Sequence, residues 1–306
     1  MMDVQSRGAE KMKLTLLGTG TPAPSAKRVS SGYLLEIDGD KIVLDHGPGA
    51  AHRLLQAGHN PVDITHCFLT HLHFDHIVDY PRLVLQRWDH AAGHKPELLV
   101  YGPAPVARLS EQLFGEDGVY DLDLTARTKF QASLDVYAAR GGVMPRARPQ
   151  PQVRELVVGD TVEGGSWTAT VGQAVHFQPF LECFAYRFEA DDGVVVYSGD
   201  NGGVRDDMVA LAEDCDVLIH MCHFMVGTEP NETFRQTNGG HLDVAEIAKR
   251  AGVKTLVLTH MPASLDEPGV IERMVHEMHT VFDGHIIVGQ DLLDVPVKLG
   301  RSGHFD

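Results

Sequence analysis

Three histidines and an aspartate lie within the six residues His71-Leu72-His73-Phe74-Asp75-His76. His71 and His73 are two residues apart, so in an extended segment both imidazoles leave the same side of the chain. Imidazole and carboxylate are ligands that Zn²⁺ prefers, and Fe²⁺ or Mn²⁺ also accepts them. A histidine-rich surface loop is the alternative. The apolar run at 67–69 argues against it, because it predicts a buried strand that carries the cluster at its end. The cluster therefore predicts a metal site.

Two later histidines also follow predicted strands. The apolar run 217–219 stops at His220, and the run 255–258 stops just before Thr259 and His260. Strand ends are where open α/β sheets carry their sites, because the loops converge there while the strands stay rigid. His260 is therefore a candidate ligand.

The elements that must position these residues form a duplicated pattern. Residues 33–37 and 42–45 predict a β-hairpin around an Asp-Gly turn, and residues 186–190 and 194–197 predict a second one around another Asp-Gly turn. Chance similarity of two hairpins is the alternative. Predicted helices at 49–57 and 242–251 each end at a glycine. The pattern favours an α/β sandwich of two similar halves.

Composition is that of one compact domain. The chain has 306 residues, of which 43% are hydrophobic, and no change in composition marks a second domain within 1–306. Its net charge of −16 disfavours a polyanionic partner unless a local basic patch exists. Four cysteines without paired spacing predict buried reduced thiols. Residues 1–12 lack the apolar core of a signal peptide, and no apolar run is long enough to span a membrane. We expect a cytoplasmic protein that does not enter a membrane.

Residues 101–157 separate the two halves. This segment has mixed polarity, several prolines and glycines, and basic residues that include Arg146, Arg148 and Arg154. It predicts an insertion that acts as a lid over the site or forms a dimer contact. A surface excursion without either role is the alternative.

The motifs together resemble the metallo-β-lactamase fold hydrolases, in particular their ribonuclease Z and arylsulfatase-like branch. The resemblance covers most of the chain, from the opening Leu-Gly-Thr-Gly-Thr-Pro to His260. It rests on these segments: 16–22, 44–49, 71–76, 183–187, 198–200 and 258–260. It implies an αββα sandwich of the metallo-β-lactamase type with two similar halves.

The resemblance also implies a dinuclear site. His71, His73 and His176 would hold one metal ion, while Asp75, His76 and His260 would hold the other, with Asp200 bridging both. Two Zn²⁺ ions per chain are expected, with Mn²⁺ or Fe²⁺ possible. Such a pair can share a hydroxide and polarise the bond under attack. Asp75 is also expected to take part in catalysis.

Three residues near the ligands have secondary roles by the same comparison. Asp45 would accept the free N–H of a ligand histidine; turn capping is the alternative. His241 would donate a proton to the leaving group; a solvent-facing histidine is the alternative. Ribonuclease Z orients this histidine with a glutamate from a His-Glu-Ala-Thr motif, where this chain has Met221. His223, in the same motif, would bind substrate or be a buried structural residue.

Three functional hypotheses follow. The first is a dinuclear hydrolase that cleaves an ester-type bond in a small phosphodiester, aryl ester or lactone. The second is a tRNA 3′-processing endonuclease like ribonuclease Z, which needs a basic exosite and the missing glutamate. The third is a non-hydrolytic, iron-dependent oxidoreductase of the same fold, which a complete second metal site disfavours. We expect a small-molecule substrate, no nucleic acid, and a homodimer by resemblance.

Overall fold

The computed structural model describes residues 12–298, so the first eleven residues of the polar N-terminal segment lie outside the described range. Fourteen strands in this range form two sheets of seven. The first sheet contains β1 (Lys13–Gly18), β2 (Gly32–Ile37), β3 (Asp40–His46), β4 (His66–Phe68), β5 (Leu99–Gly102), β6 (Gln152–Glu155) and β14 (Leu293–Val295). The second contains β7 (Thr161–Glu163), β8 (Trp167–Gln173), β9 (Phe184–Ala190), β10 (Gly193–Tyr197), β11 (Val217–Met221), β12 (Thr255–Thr259) and β13 (His285–Val288).

Helices cover the outer faces of both sheets. In the first half they are α1 (Ala50–Gln56), α2 (Phe74–Ile77), α3 (Tyr80–Ala91), α4 (Val106–Phe114), α5 (Asp121–Lys129) and α6 (Gln131–Ala139). In the second half they are α7 (Asp206–Leu211), α8 (Glu232–Thr237), α9 (His241–Arg250) and α10 (Val270–Met278). Short 3₁₀ turns lie at Pro61–Asp63 and Ala263–Asp266.

Three hydrophobic cores hold these layers together. The largest lies between the two sheets, where the aromatic rings of Phe68, Tyr186 and Phe188 pack edge to face. A second core joins the first sheet to its helices, and a third joins the second sheet to α7, α9 and α10. The order of layers is therefore helix, sheet, sheet, helix, which confirms the αββα sandwich.

The two halves repeat one strand plan. The first sheet runs β14-β1-β2-β3-β4-β5-β6 and the second β7-β8-β9-β10-β11-β12-β13. In each sheet an antiparallel hairpin (β2–β3 or β9–β10) is followed by three parallel strands. The β2–β3 turn uses Asp38 and Gly39, both at positive φ, as a tight hairpin turn requires. Both predicted hairpins are thus confirmed.

The segment between β5 and β6 forms the helical hairpin α5–α6, which packs beside α3. One carboxylate anchors it: Asp89 on α3 pairs with Arg127, Arg140 and Arg146 at 3.2, 3.2 and 2.7 Å. The guanidinium of Arg146 also stacks over the ring of Trp88, 4.1 Å from its centroid. Arginines of the insertion, whose role the sequence does not indicate, therefore hold it against α3.

Two further expectations bear on the environment of the chain. All four cysteines are buried and free. Among the described residues, no helix combines the length and the apolar character needed to cross a bilayer.

Candidate metal centre

Seven side chains meet where strands of the two sheets end. His71, His73, Asp75 and His76 come from the segment after β4, which continues into α2. His176 follows β8, Asp200 follows β10 and His260 follows β12. All but His73 are buried, and His73 is partly exposed. The structure therefore brings together all seven residues that the sequence singles out as candidate ligands.

The first group contains His71, His73, His176 and Asp200, and its ligand atoms all lie within 4.8 Å of one another. Nε2 of His71 is 2.9 Å from Nδ1 of His73. Nε2 of His176 is 3.4 Å from Oδ2 of Asp200. Three imidazoles and one carboxylate thus converge on one point.

The second group contains Asp75, His76 and His260, and its ligand atoms also lie within 4.8 Å of one another. Nε2 of His260 is 3.2 Å from Oδ2 of Asp75 and 3.3 Å from Oδ2 of Asp200. Nε2 of His76 is 3.5 Å from Oδ1 of Asp200. Asp200 therefore contacts histidines of both groups, which is the position that a bridging carboxylate needs.

These spacings fit metal ligation. Donors about 2.0–2.1 Å from a tetrahedral Zn²⁺ are ~3.3 Å from each other, close to the separations observed. Nε2 of His76 is also buried without a hydrogen-bond partner. A buried polar atom without a partner is costly unless something coordinates it. The donor set and this unpaired nitrogen both fit a bound cation.

Neighbouring acceptors fix which imidazole nitrogen faces the centre. Nδ1 of His76 donates to Oδ2 of Asp45 at 2.7 Å, and Nδ1 of His176 donates to the backbone carbonyl of Thr237 at 2.7 Å. Because a carboxylate and a carbonyl can only accept, each Nδ1 carries a proton and each Nε2 faces the centre, where it would be the nitrogen that ligates a cation. Thr70 and Tyr197 also donate to Asp45, so this buried carboxylate has four hydrogen bonds.

The charges of the centre support one another. Burial alone would raise the pKa of Asp200, but the imidazoles of His260 and His76 hold it well below its usual range. Burial would lower the pKa of His76, yet the carboxylates of Asp200 and Asp45 raise it well above its usual value, so a cation that binds Nε2 would displace a proton from it. Burial lowers the pKa values of His71 and His176. Asp200 is therefore ionised at neutral pH, as a cation ligand must be.

A pocket of about 660 Å³ opens over the centre. Its floor includes His73, Asp75, His176, Asp200 and His260, and its walls include four phenylalanines: Phe74, Phe177, Phe180 and Phe234. No lysine or arginine is among the described residues that line it.

His223 is on the pocket wall, where a substrate-binding residue would have to lie. Its Nδ1 is 3.4 Å from Nδ1 of His260. Burial and then the neighbouring His260 lower its pKa to about 4. Its imidazole is therefore neutral at pH 7 and can donate one hydrogen bond or accept one.

His241 does not line the pocket. It is completely buried at the start of α9, where Nδ1 accepts a hydrogen bond from the N–H of Val226 and Nε2 donates to Glu277 on α10. Both nitrogens are thus engaged away from the metal groups. This geometry does not support the leaving-group role that the sequence comparison suggests, because a proton donor must reach the departing oxygen.

The insertion at 101–157 does not contribute to the pocket either, since every described lining residue lies outside it. A lid role for this segment has no support in the structure. The pocket walls come instead from the loop after β8 and from α8.

Sequence reasoning missed the aromatic walls of the pocket. Phe177 and Phe180 directly follow the candidate ligand His176 in the run His-Phe-Gln-Pro-Phe, and Phe74 lies between His73 and Asp75. Large apolar residues inside a ligand-bearing loop were the available signal, because such loops lie at the surface.

Comparison with known proteins identifies the family of the chain. A family model described as "Anti-Pycsar protein Apyc1" matches residues 12–233. A ribonuclease Z of Mycobacterium bovis is 30% identical over 300 residues, covering 95% of this chain and 100% of the relative. A ribonuclease Z of Methanothermobacter thermautotrophicus is 26% identical over 319 residues, covering 94% of this chain and 97% of the relative.

Solved structures share the fold. The metallo-β-lactamase fold protein YhfI of Bacillus subtilis superposes with a TM-score of 0.70 at 22% identity, covering 94% of this chain and 99% of that one. Human short-form tRNase Z superposes with a TM-score of 0.66 at 18% identity, covering 94% of this chain and 100% of that one. A diphosphatase of the PhnP family superposes with a TM-score of 0.64 at 17% identity, covering 94% of this chain and 99% of that one. The chain belongs to the family described by the anti-Pycsar protein Apyc1 model and is a metal-dependent hydrolase of the metallo-β-lactamase fold, in the ribonuclease Z branch.

Proposed function

We propose that this protein hydrolyses a small phosphodiester at a dinuclear metal centre. The observation that carries the proposal is the pocket itself. Seven potential ligands converge at its base, its walls are apolar, and no lysine or arginine is among its described lining residues. A site of this kind suits one reacting phosphate joined to an uncharged remainder.

We assign the ligands as the two groups described above. His71, His73 and His176 would hold one ion, Asp75, His76 and His260 the other, and Asp200 both. The donor set of imidazoles and carboxylates favours Zn²⁺, with Mn²⁺ or Fe²⁺ as alternatives. When bound, such ions would polarise the phosphoryl oxygen and lower the pKa of an attacking water.

The chain's own residues have distinct tasks in this proposal. Asp45 and the Thr237 carbonyl hold His76 and His176 in the required tautomers. Asp75 lines the pocket, and its hydrogen bond with His260 helps to keep the pKa of this carboxyl low despite burial. This carboxylate is therefore ionised at neutral pH and can accept a hydrogen bond from a water, which would orient that water for attack. His223 on the wall can hydrogen-bond the substrate.

The relatives favour a phosphodiester over an aryl ester or a lactone. The names of the ribonuclease Z relatives and of the PhnP-family diphosphatase denote enzymes that cleave phosphoester or phosphoanhydride bonds. A centre of two cations suits this chemistry, because it can stabilise both the attacking and the leaving oxygen. Membership of a hydrolase family gives no support to the iron-dependent oxidoreductase hypothesis.

The second candidate is tRNA 3′ processing, which the identity to ribonuclease Z proteins favours and which runs against the expectation of no nucleic-acid partner. Three features weigh against it. The described pocket lining lacks cationic side chains other than histidine. Arg127, Arg140 and Arg146 of the insertion all pair with Asp89. The net charge is −16, and RNA binding normally draws on several Lys or Arg contacts to phosphates.

One assay separates the two candidates. The metal-loaded chain is given a 3′-extended tRNA precursor in parallel with small cyclic and linear phosphodiesters, an aryl ester and a lactone, at low salt. We expect turnover of a small phosphodiester and little cleavage of the precursor. Efficient single-site cleavage of the precursor, with every small reporter left intact, would establish the second candidate instead. The Asp200→Ala protein controls for contaminating nucleases.

We further propose a cytoplasmic location and a homodimer. Four free, buried thiols support a reducing compartment. The α5–α6 hairpin supports self-association, because Leu122 and Phe130 on it are 86% and 67% exposed. Within residues 119–144, three aspartates are balanced by three basic residues. Because the charges within this segment balance, two copies of it can meet with less repulsion than is expected elsewhere on so acidic a chain.

A further inference from the structure

Four phenylalanines surround the pocket above the candidate metal centre. Phe74, Phe177 and Phe180 are 58%, 49% and 87% exposed, and Phe234 is partly buried. Three separate segments supply them: the start of α2, the loop after β8, and α8. Large aromatic side chains exposed together beside a site are unusual on a monomer and normally mark a binding surface.

The rings are held close to the centre. The Phe177 ring packs edge-on against the imidazoles of His73 and His176, with centroids 4.8 and 4.5 Å apart. Phe180 lies three residues further along the same loop, and its N–H donates to the Phe177 carbonyl at 3.0 Å. Gln178 fixes this loop, because its side chain accepts from the His176 N–H and donates to the Ala174 carbonyl. The Phe177 ring is therefore held before any substrate arrives, while Phe180 has a fixed backbone and a ring that is free to contact a ligand.

The pocket offers little for a charged or strongly polar group away from the centre. Its described lining has no lysine or arginine. Two amides that flank α8 are partly used by the helix: Asn231 accepts from the Phe234 N–H at 2.9 Å and Asn238 donates to the Phe234 carbonyl at 3.0 Å. The surface around Phe180 is therefore better suited to a flat, uncharged part of a ligand than to a group that needs several hydrogen bonds.

We propose that Phe177 and Phe180, with Phe74 and Phe234, form a subsite for an uncharged planar ring in the non-reacting part of the substrate, and so select aromatic over aliphatic phosphate esters. This inference rests on the proposed phosphodiester hydrolysis. Aromatic rings recognise one another by stacked or edge-to-face contacts, which depend on flatness as well as area. A saturated ring of similar size would gain free energy only from the apolar area that it buries, not from contacts between aromatic rings.

Binding of three phosphonates to the metal-loaded full-length chain tests the subsite without relying on turnover. Phenylphosphonate, cyclohexylphosphonate and methylphosphonate share the anionic head and differ only in the remainder. We expect calorimetry to show phenylphosphonate binding about 3- to 10-fold tighter than cyclohexylphosphonate, and methylphosphonate binding most weakly.

Substitutions at Phe180 locate the effect. Phe180→Leu keeps apolar surface but removes the flat ring, so it should remove the preference for phenyl over cyclohexyl while methylphosphonate binding and metal content stay unchanged. Phe180→Tyr should keep the preference. Phe130→Leu is the matched control for loss of an exposed ring, because Phe130 is 67% exposed outside the pocket. Since Phe130 is also on the proposed dimer surface, the variants are compared at the same oligomeric state.

The outcomes separate this inference from the proposed function. Loss of the phenyl preference in Phe180→Leu but not in Phe130→Leu supports the subsite even if no phosphodiester is turned over. Equal binding of phenyl and cyclohexyl probes by the unsubstituted protein, or an unchanged preference in Phe180→Leu, overturns the subsite even if phosphodiesters are hydrolysed. Failure of phenylphosphonate to bind at all overturns it too.

Discussion

Oδ2 of Asp45 lies 2.7 Å from Nδ1 of His76, in a position with no solvent exposure beneath the candidate metal centre. Asp45 comes from the end of β3 and His76 from α2, so this contact joins the first sheet to the ligand segment. Asp45 also has a φ of +53°, a conformation in which aspartate and asparagine are the least strained of the non-glycine residues.

Asp45→Asn should weaken metal binding by about 10- to 100-fold, because the amide cannot match a carboxylate in orienting the His76 imidazole. Asparagine tolerates the positive φ, so the change isolates the effect of charge. Competition with a chromogenic chelator measures the affinity. Tyr197→Phe is the control, since it removes a different donor to Oδ2 of Asp45. Equal losses in both proteins would contradict a specific role for the Asp45–His76 contact.

Asp200→Ala should lower metal content from about two ions per chain to one or none and abolish hydrolysis, because Asp200 contacts histidines of both groups. Elemental analysis of protein purified without chelator provides the measurement. Asp191→Ala, which removes an exposed carboxylate from the β9–β10 turn, should leave metal content unchanged. Full metal content and activity in Asp200→Ala would rule out the bridging assignment.

His241→Gln should destabilise the fold by about 1–2 kcal/mol through loss of its buried hydrogen bonds, without favouring one leaving group over another. The reason is its position between Val226 and Glu277, away from the pocket. Urea denaturation gives the free energy of unfolding, and rates on nitrophenyl and alkyl diesters give the leaving-group dependence. A loss of about 10²–10⁴ confined to the alkyl diester would instead restore the proton-donor role. Glu277→Gln should have a similar but smaller effect on stability.

His46 predicts a pH dependence of stability. It is fully buried, neither ring nitrogen has a hydrogen-bond partner, and burial lowers its pKa from 6.5 to about 4. Between these values the unfolded chain binds a proton that the folded chain does not. Stability from this group is therefore complete above pH 6.5 and falls as the pH drops to about 4, by up to roughly 3 kcal/mol.

His46→Leu removes this titrating group. The free energy of unfolding of the variant should consequently decline less between pH 6.5 and 4 than that of the unsubstituted protein. Denaturant titrations at several pH values, with both proteins run in parallel, measure the difference in slope. Parallel pH profiles would show that His46 does not titrate as its burial implies.

Leu122→Asp should shift the protein from dimer to monomer, because it places a charge in the most exposed apolar position of the α5–α6 hairpin. Light scattering after size exclusion gives the mass directly. Val157→Asp is the control, since Val157 is 65% exposed outside that hairpin. A monomeric unsubstituted protein, or a dimer that persists in Leu122→Asp, would contradict the assignment of this surface.

The sequence indicated the residues of both candidate metal groups because four of the seven lie in one short segment and the others follow predicted strands or recognisable motifs. His71, His73, Asp75 and His76 are adjacent, and strand ends deliver His260 to the same edge whatever the surrounding loops do. The paired hairpins likewise follow from strand patterns and tight turns. Such short-range information is present in residue types and spacing.

The neighbours that the His241 imidazole faces are set by tertiary contacts, which the spacing of residues along the sequence cannot reveal. Its partner Glu277 is 36 residues away on another helix. The arginines of the insertion similarly pair with Asp89, from 38 to 57 residues upstream. Whether a side chain faces the pocket or a neighbouring helix is decided by tertiary packing, and the same holds for the phenylalanines that line the pocket walls.

Each candidate metal group draws ligands from both halves of the sandwich: His71 and His73 are joined by His176, while His76 is joined by His260. A bound ion would therefore act as a cross-link between chain segments about one hundred residues or more apart. In the unfolded chain these donors are dispersed, so ions would bind mainly the folded state and add to its stability, by ~4 kcal/mol at a free metal concentration a thousand times the dissociation constant. Persistence of the folded protein in a cell would then depend on metal supply as well as on the hydrophobic cores.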